Sequence, residues 1–230
     1  MGSTNIYNKY PPEFNFGGKK VLNIGCGYNQ YKHKNVVNVD AFDICKPDVV
    51  WDLNKTPYPF EDNSFDIVIA NHILEHLPNW WGAFNECARV LKENGVMELW
   101  VPGSGTNAAN GFRDHVVEIN DCSFYGVHNT WREGGNAWAD ENSKCPANRM
   151  KLVHRQTTME RKWWIRMAPL KLKEWMARHL RNVISEDGWF FRKVTVKEHL
   201  DERAGYHKSR KRDSVIPLPQ VPEAGVLGSN

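Results

Sequence analysis

The stretch from Val21 to Gly27, V-L-N-I-G-C-G, constrains this chain more than any other. A short apolar run ends in two glycines that flank one small residue. The run has the pattern of a buried parallel strand, and the glycines permit a tight turn that the backbone of a ligand can approach. In an open α/β sheet, ligands bind beyond the carboxyl ends of the strands. Residues 25–28 therefore read as the floor of a nucleotide-type pocket.

The next eighty residues repeat the pattern. Apolar runs at 36–39, 49–51, 65–70 and 96–101 read as strands two to five, and the first three of these are followed by Asp40, Asp52 and Asn71. Near-continuously apolar strands that alternate with crossovers predict a parallel sheet covered on both faces. The connections are short. Only residues 28–34 separate Gly27 from the second run, whereas a crossover usually needs ten residues or more. The first helix is therefore expected to be very short or absent, and Pro47 argues the same for the second. A full helix is expected from about 78 to 93, with Trp81, Phe84, Ala88 and Leu91 at helical spacing, Pro78 in the first turn and Asn94-Gly95 at the stop.

Beyond strand five the pattern weakens. Residues 103–148 are rich in Gly, Asn, Asp and His without periodicity, and such a segment in a compact domain is usually functional or mobile. Residues 159–180 read as helical, interrupted at Pro169. The runs 181–185 and 189–196 flank Glu186-Asp187-Gly188 and read as a terminal antiparallel hairpin. The division expected is an arm at 1–18, one domain at 19–207 with an irregular insertion at about 103–158, and a disordered basic, Pro-rich tail at 208–230.

Composition narrows the class. A chain of 230 residues with 41% hydrophobic residues supports one domain, or one with an insertion. No run of eighteen apolar residues occurs, and residues 1–9 lack the apolar core of a secretory signal. The five cysteines are dispersed, with no C-x-x-C pair, which fits a reducing compartment and a cytoplasmic setting. Net charge is only +3, so the chain is not a polycation. The charge is uneven: residues 149–181 hold ten Lys or Arg against two Glu, with three tryptophans. That stretch reads either as a surface for an anionic partner, including peripheral membrane contact, or as a helix that packs its Trp and Met while its cations face water. The second reading is favoured.

The strand ends carry the candidate site residues. An acidic side chain after strand two, Asp40, is placed to accept both hydroxyls of a ribose. Asp52, after strand three, can accept from an exocyclic amine such as that of adenine. Ordinary strand-end capping is the alternative for each Asp, since such sites favour Asp anyway, but the ligand-binding reading is favoured for both. A dinucleotide-dependent oxidoreductase would also use a glycine turn and an Asp, but its fingerprint needs a third glycine opening a full helix, and no room for that helix exists.

In that order, L-N-I-G-C-G (22–27), V-N-V-D (37–40), the long run from Trp51 to Pro78 containing P-F-E-D-N-S-F-D and H-I-L-E-H, and R-V-L-K-E-N-G-V-M-E-L-W-V-P (89–102) resemble class I S-adenosylmethionine-dependent methyltransferases. The likeness is to the small methyltransferase-11-like type found with polysaccharide genes and in viruses. The resemblance implies a Rossmann-like α/β fold with a mostly parallel seven-stranded sheet, an antiparallel C-terminal hairpin and S-adenosyl-L-methionine as cofactor. It implies that Gly25, Cys26 and Gly27 line the methionine part, Asp40 binds the ribose, Asp52 and Leu53 hold the adenine edge, and Asn71 and His72 sit beside the sulfonium. Asn23 belongs to the same cofactor set, though many members have an acidic residue there.

For the acceptor, methyl transfer to a hydroxyl needs a positioned oxygen and a general base, for which His is suited near neutral pH. His115, with Asp114, follows strand five and is the candidate pair. A small hydroxylated acceptor such as a sugar is the expected substrate. Two readings stay open beside it, a non-catalytic cofactor-binding scaffold and a nucleic-acid methyltransferase. The second is disfavoured because an Asp/Asn-Pro-Pro-aromatic motif is absent. No metal is expected: His72 and His76 read as part of a strand-to-helix turn, and Cys122, His128, Cys145 and His154 match no common zinc spacing.

Overall fold

A computed structural model describes residue 10 and residues 14–124, 127, 149–159, 167–179, 184–198 and 201 of the chain. The tail expected at 208–230 lies outside these residues, as do most of residues 125–148. Residues 1–195 and 196–230 form two compact units, and all seven strands fall in the first.

The strands are β1 (Val21–Ile24), β2 (Val36–Asp40), β3 (Val49–Val50), β4 (Phe65–Asn71), β5 (Leu91–Pro102), β6 (Met150–Met159) and β7 (Ile184–Lys193). They form one sheet in the order β3-β2-β1-β4-β5-β7-β6. The first five are mutually parallel, β7 runs antiparallel to β5, and β6 antiparallel to β7. This is the mostly parallel seven-stranded α/β sheet expected. The first crossovers are reduced as expected: no helix forms between β1 and β2, and a single 3-10 turn, Asp43–Cys45, stands between β2 and β3.

Alternation along the strands sends side chains to two faces. Leu22, Ile24, Val68, Ala70, Met97 and Leu99 point to one face, where helix α1 (Trp80–Val90) buries Ala83, Phe84, Cys87, Ala88 and Val90 against them. Phe84 stacks on Trp81 and meets Phe124 and Phe191 edge-on or tilted. The other face presents Val21, Val36 and Ile69, which lie under Tyr31, Tyr10 and Phe16. The described part of the N-terminal arm therefore packs on the sheet, and the Tyr10 hydroxyl donates to Glu98 Oε2 at 2.7 Å.

Three local expectations are corrected. The helix expected over 78–93 ends at Val90, because Leu91 turns extended and pairs with Phe65. Asn94 then takes a left-handed φ of 63° within the irregularity that separates the Phe65–Leu91 and Ile67–Val96 pairs. Residues 150–158, expected within the irregular insertion, and Met159, expected to start a helix, form edge strand β6. Glu186-Asp187-Gly188 is not a turn: it lies inside β7, and the antiparallel pair is β6 with β7. Asp187 is buried and accepts from Thr157 Oγ1 at 2.8 Å and Arg155 at 3.3 Å. Gly188 lies against Trp100, where a Cβ would stand 2.7 Å from ring carbons. The glycine serves close packing here.

Helix α2 (Asn107–Gly111) follows β5, capped by the Thr106 hydroxyl, which accepts from Ala109 N–H at 3.0 Å. Helix α3 (Leu170–His179) buries Met176 but leaves Trp175 half exposed; Trp163 and Trp164 of the basic, Trp-rich stretch lie outside the described residues. Among the described residues, no helix is long and apolar enough to cross a membrane.

Candidate functional site

The carboxyl ends of β1, β2 and β4 converge on the glycine turn. Gly25 and Gly27 both have left-handed φ, 61° and 47°. A Cβ on Gly25 would stand 2.3 Å from Ile73, whereas one on Gly27 would meet nothing within 4 Å. The turn is thus closed beneath and open above. Cys26, between them, faces inward; burial, helped by Asp40, pushes its thiol up to about 12, so it is an inert packing group. Asn23 lies under the turn, where its amide donates to Asn38 Oδ1 and the Asn29 carbonyl.

Asp40 braces this turn. Its Oδ2 accepts from Gly27 N–H at 2.7 Å and its Oδ1 from Phe42 N–H at 3.0 Å. A carboxylate has roughly four lone-pair sites, so each oxygen keeps acceptor capacity after one backbone bond. Capping and ligand binding are therefore compatible in this residue. Asp52 is more exposed; its Oδ1 accepts from the Asn54 backbone and side chain, and Lys55 stands 3.9 Å from Oδ2. Leu53 beside it is buried.

Three apolar side chains near these strand ends stand in solvent: Tyr28 at 73% exposure, Phe42 at 69% and Ile44 at 76%. Tyr28 follows the glycine turn, and Phe42 and Ile44 follow β2. Sequence reasoning missed the last two; an aromatic and an aliphatic residue in a polar loop directly after the Asp was the signal available. An open glycine cradle, a braced carboxylate with spare acceptors and an apolar rim together fit an adenosine-type ligand with a small tail. The helix that a dinucleotide pyrophosphate would need is absent from residues 25–35.

At the end of β4, His72 has a left-handed φ of 49°, uncommon for a residue with a side chain. Its N–H donates to the Trp100 carbonyl at 2.9 Å. The ring lies between two carboxylates, with Nε2 3.0 Å from Glu186 Oε1 and Nδ1 3.3 Å from Glu75 Oε1. Burial opposes its charge, but Glu186 and Glu75 outweigh burial and raise its pKa. Asn71 precedes it with its side-chain oxygen buried.

Glu75 and His76 sit in a 3-10 turn, Leu74–His76, and the loop after α2 crosses this turn. Val116 and Val117 N–H groups donate to the Glu75 carbonyl at 2.9 and 3.2 Å. That crossing brings His115 against His76, with ring centroids 4.7 Å apart. His115 Nδ1 is 3.1 Å from the Ala109 carbonyl, and His76 Nδ1 is 3.1 Å from the Asp114 carbonyl. The Asp114 carboxylate reaches His76, at 3.4 Å, and is otherwise largely exposed. The expected pair thus shares a site, but Asp114 orients His76 while Ala109 orients His115. Of the four residues weighed for zinc, His128 and Cys145 lie outside the described residues. Cys122 and His154 are described, on the 3-10 turn Asp121–Phe124 and on β6.

Residues 22–99 match the family model described as a methyltransferase domain. An uncharacterized protein of Methanocaldococcus jannaschii is 36% identical over 86 residues, 34% of this chain and 38% of that one. The chain thus spans under two fifths of the length of the curated relative it matches. A SAM-dependent methyltransferase from Archaeoglobus fulgidus superposes with a TM-score of 0.54 at 14% identity, over 77% of this chain and 87% of that one. The [4+2]-cyclase SpnF superposes with a TM-score of 0.50 at 14% identity, over 78% and 76%. At such identity these likenesses speak to fold alone, and the second is a reminder that one fold hosts more than one reaction.

Proposed function

We propose, from the match of residues 22–99 to a methyltransferase-domain family model, that the chain is a class I S-adenosylmethionine-dependent enzyme that transfers a methyl group to a hydroxyl of a small acceptor such as a sugar. The cofactor, when bound, supplies a methyl group made electrophilic by the attached sulfonium. The chain's own residues do the rest. Gly25, Cys26 and Gly27 leave room for the methionine part, and Asp40 accepts from the ribose hydroxyls. Phe42 and Ile44 flank the adenine, with Asp52 and Leu53 at its edge. Asn71 and His72 line the approach to the sulfur.

One observation carries the acceptor assignment. The Ala109 carbonyl beside His115 Nδ1 favours the neutral tautomer protonated at Nδ1, which leaves Nε2 as the basic atom. A His115 donor atom lies within 4.8 Å of Glu75, whose carboxylate is 3.3 Å from the His72 ring, which supports a proton-accepting group near the proposed position of the sulfonium. A hydroxyl is the acceptor that needs such a group.

The test is calorimetric titration with S-adenosylhomocysteine, repeated on Asp40→Ala, followed by an acceptor screen of hydroxylated sugars. Micromolar binding that falls at least tenfold in Asp40→Ala is expected. Binding that is equal in the variant would remove Asp40 from the site. Binding without turnover of any hydroxylated acceptor would favour the scaffold reading.

A further inference from the structure

We propose that Glu75, His76 and His115 form a binding site for one divalent transition-metal ion at the acceptor side of the pocket. One donor atom from each of these residues lies within 4.8 Å of the others. Donors sharing an ion at about 2.1 Å stand about 3–3.5 Å apart, so a small closing of three side chains completes the set.

Two independent features point to a ligand there. Glu75 is only 2% exposed, and among the described residues neither of its buried carboxylate oxygens accepts a hydrogen bond. Its nearest charge partner among the described residues is His72 Nδ1, 3.3 Å from Oε1, while His76 and His115 stand farther off, within 4.8 Å. A buried carboxylate with so little compensation is costly, and a bound cation removes that cost. The second feature is the orientation of both histidines. Each directs Nδ1 at a backbone carbonyl, Asp114 O for His76 and Ala109 O for His115, both at 3.1 Å. Metal-ligating histidines are held in this way, with one nitrogen fixed by a carbonyl or carboxylate and the other turned to the ion. The Asp114 carboxylate, 3.4 Å from His76 Nδ1, adds to that support.

Two imidazoles and one carboxylate suit zinc, manganese, cobalt or iron(II) better than magnesium or calcium. Three protein ligands leave a coordination position open. In a step that rests on the methyl-transfer reading above, the acceptor hydroxyl takes that position and loses its proton to water. Its oxygen pair forms the bond to the methyl carbon, while the carbon–sulfur pair stays on sulfur. His115 is then a ligand, and the ion takes over the activation that a free base would supply.

Binding of the ion is measurable without any acceptor. Chelator-treated protein is titrated separately with Mn²⁺, Zn²⁺ and Mg²⁺ by calorimetry, and with Co²⁺ by visible absorption. The expected result is one equivalent of Mn²⁺ or Zn²⁺, a Co²⁺ spectrum of low coordination number, and much weaker Mg²⁺. His115→Ala and His76→Ala lower affinity at least tenfold and change the Co²⁺ spectrum; Glu75→Gln does the same if it folds. No stoichiometric binding, or binding unchanged in both histidine variants, overturns the site. S-adenosylhomocysteine is titrated into the same samples. Metal binding without it leaves this site standing and removes the methyl-transfer reading; the reverse result removes only the site.

Discussion

Gly25 and Gly27 are two residues apart and share a left-handed backbone, yet they answer to different constraints. Gly25 is held by φ and by Ile73, which a Cβ would meet at 2.3 Å. Gly25→Ala should therefore cost about 2–4 kcal/mol of stability, the sum of backbone strain and overpacking. Gly27→Ala meets open space and should cost only about 1 kcal/mol, from φ alone. Ligand binding should reverse the order of interest. The space above Gly27 is where the cofactor tail is proposed to lie, so Gly27→Ala should keep its fold and lose at least tenfold in S-adenosylhomocysteine affinity. Thermal unfolding and calorimetry on the two variants check this. Full affinity in Gly27→Ala would move the tail away from the turn.

Helix α1 reaches the site through its contacts with the loop at 54–63. Glu86 accepts from Arg89 through Nε and Nη2 at 2.9 and 2.8 Å and from Tyr58 N–H at 2.6 Å, while Arg89 also holds Asp62 and the Phe60 carbonyl. Burial raises the Glu86 pKa, but Arg89 and the Tyr58 N–H overcome it, and the pKa is lowered in the fold. A lowered carboxyl pKa means that this stabilisation is full above the unfolded value and is lost as pH falls through the folded one. Glu86→Gln should cost about 1–3 kcal/mol at pH 7 and less at an acid pH below the lowered folded value, where the native residue is protonated too. Melting curves at both pH values test it; a constant gap would make the loss one of shape rather than charge.

The same scale explains what was legible. Strands β1 to β4 and α1 are written in local apolar spacing, and so were readable. Strand β6 was not, because residues 153–156 on that edge strand are exposed and carry no apolar alternation. Glu186-Asp187-Gly188 has turn chemistry, and only Arg155, Thr157 and Trp100, distant in sequence, make it strand. The cofactor residues were legible because they follow strand ends. Glu75 was not singled out, because its surroundings depend on His115, some forty residues away.

At the scale of the domain that residues 1–195 form, the two sheet faces are closed by different means. Helix α1 closes one; over β1, β2 and β4 the rings of Tyr10, Phe16 and Tyr31 close the other, where short crossovers leave no helix. Phe16 meets Tyr31 edge-on at 5.4 Å, Tyr10 at 5.3 Å and Phe14 at 4.8 Å. Val21 and Val36, the residues they cover, begin their strands, whereas the proposed cofactor site lies at the strand ends. The arm should therefore stabilise the sheet without contributing to the pocket. Phe16→Ala should cost about 2–3 kcal/mol, below the usual loss for a fully buried Phe because Phe16 is half-buried. Tyr10→Phe should cost about 1 kcal/mol, since Glu98 keeps its bond from Trp100 Nε1 at 2.6 Å. In both variants S-adenosylhomocysteine affinity, measured on folded protein, should change less than threefold. A tenfold loss would instead mean that the arm reaches across the sheet edge to the cofactor. The Glu98–Trp100 pair is the physical route for that, because the Trp100 carbonyl accepts the His72 N–H.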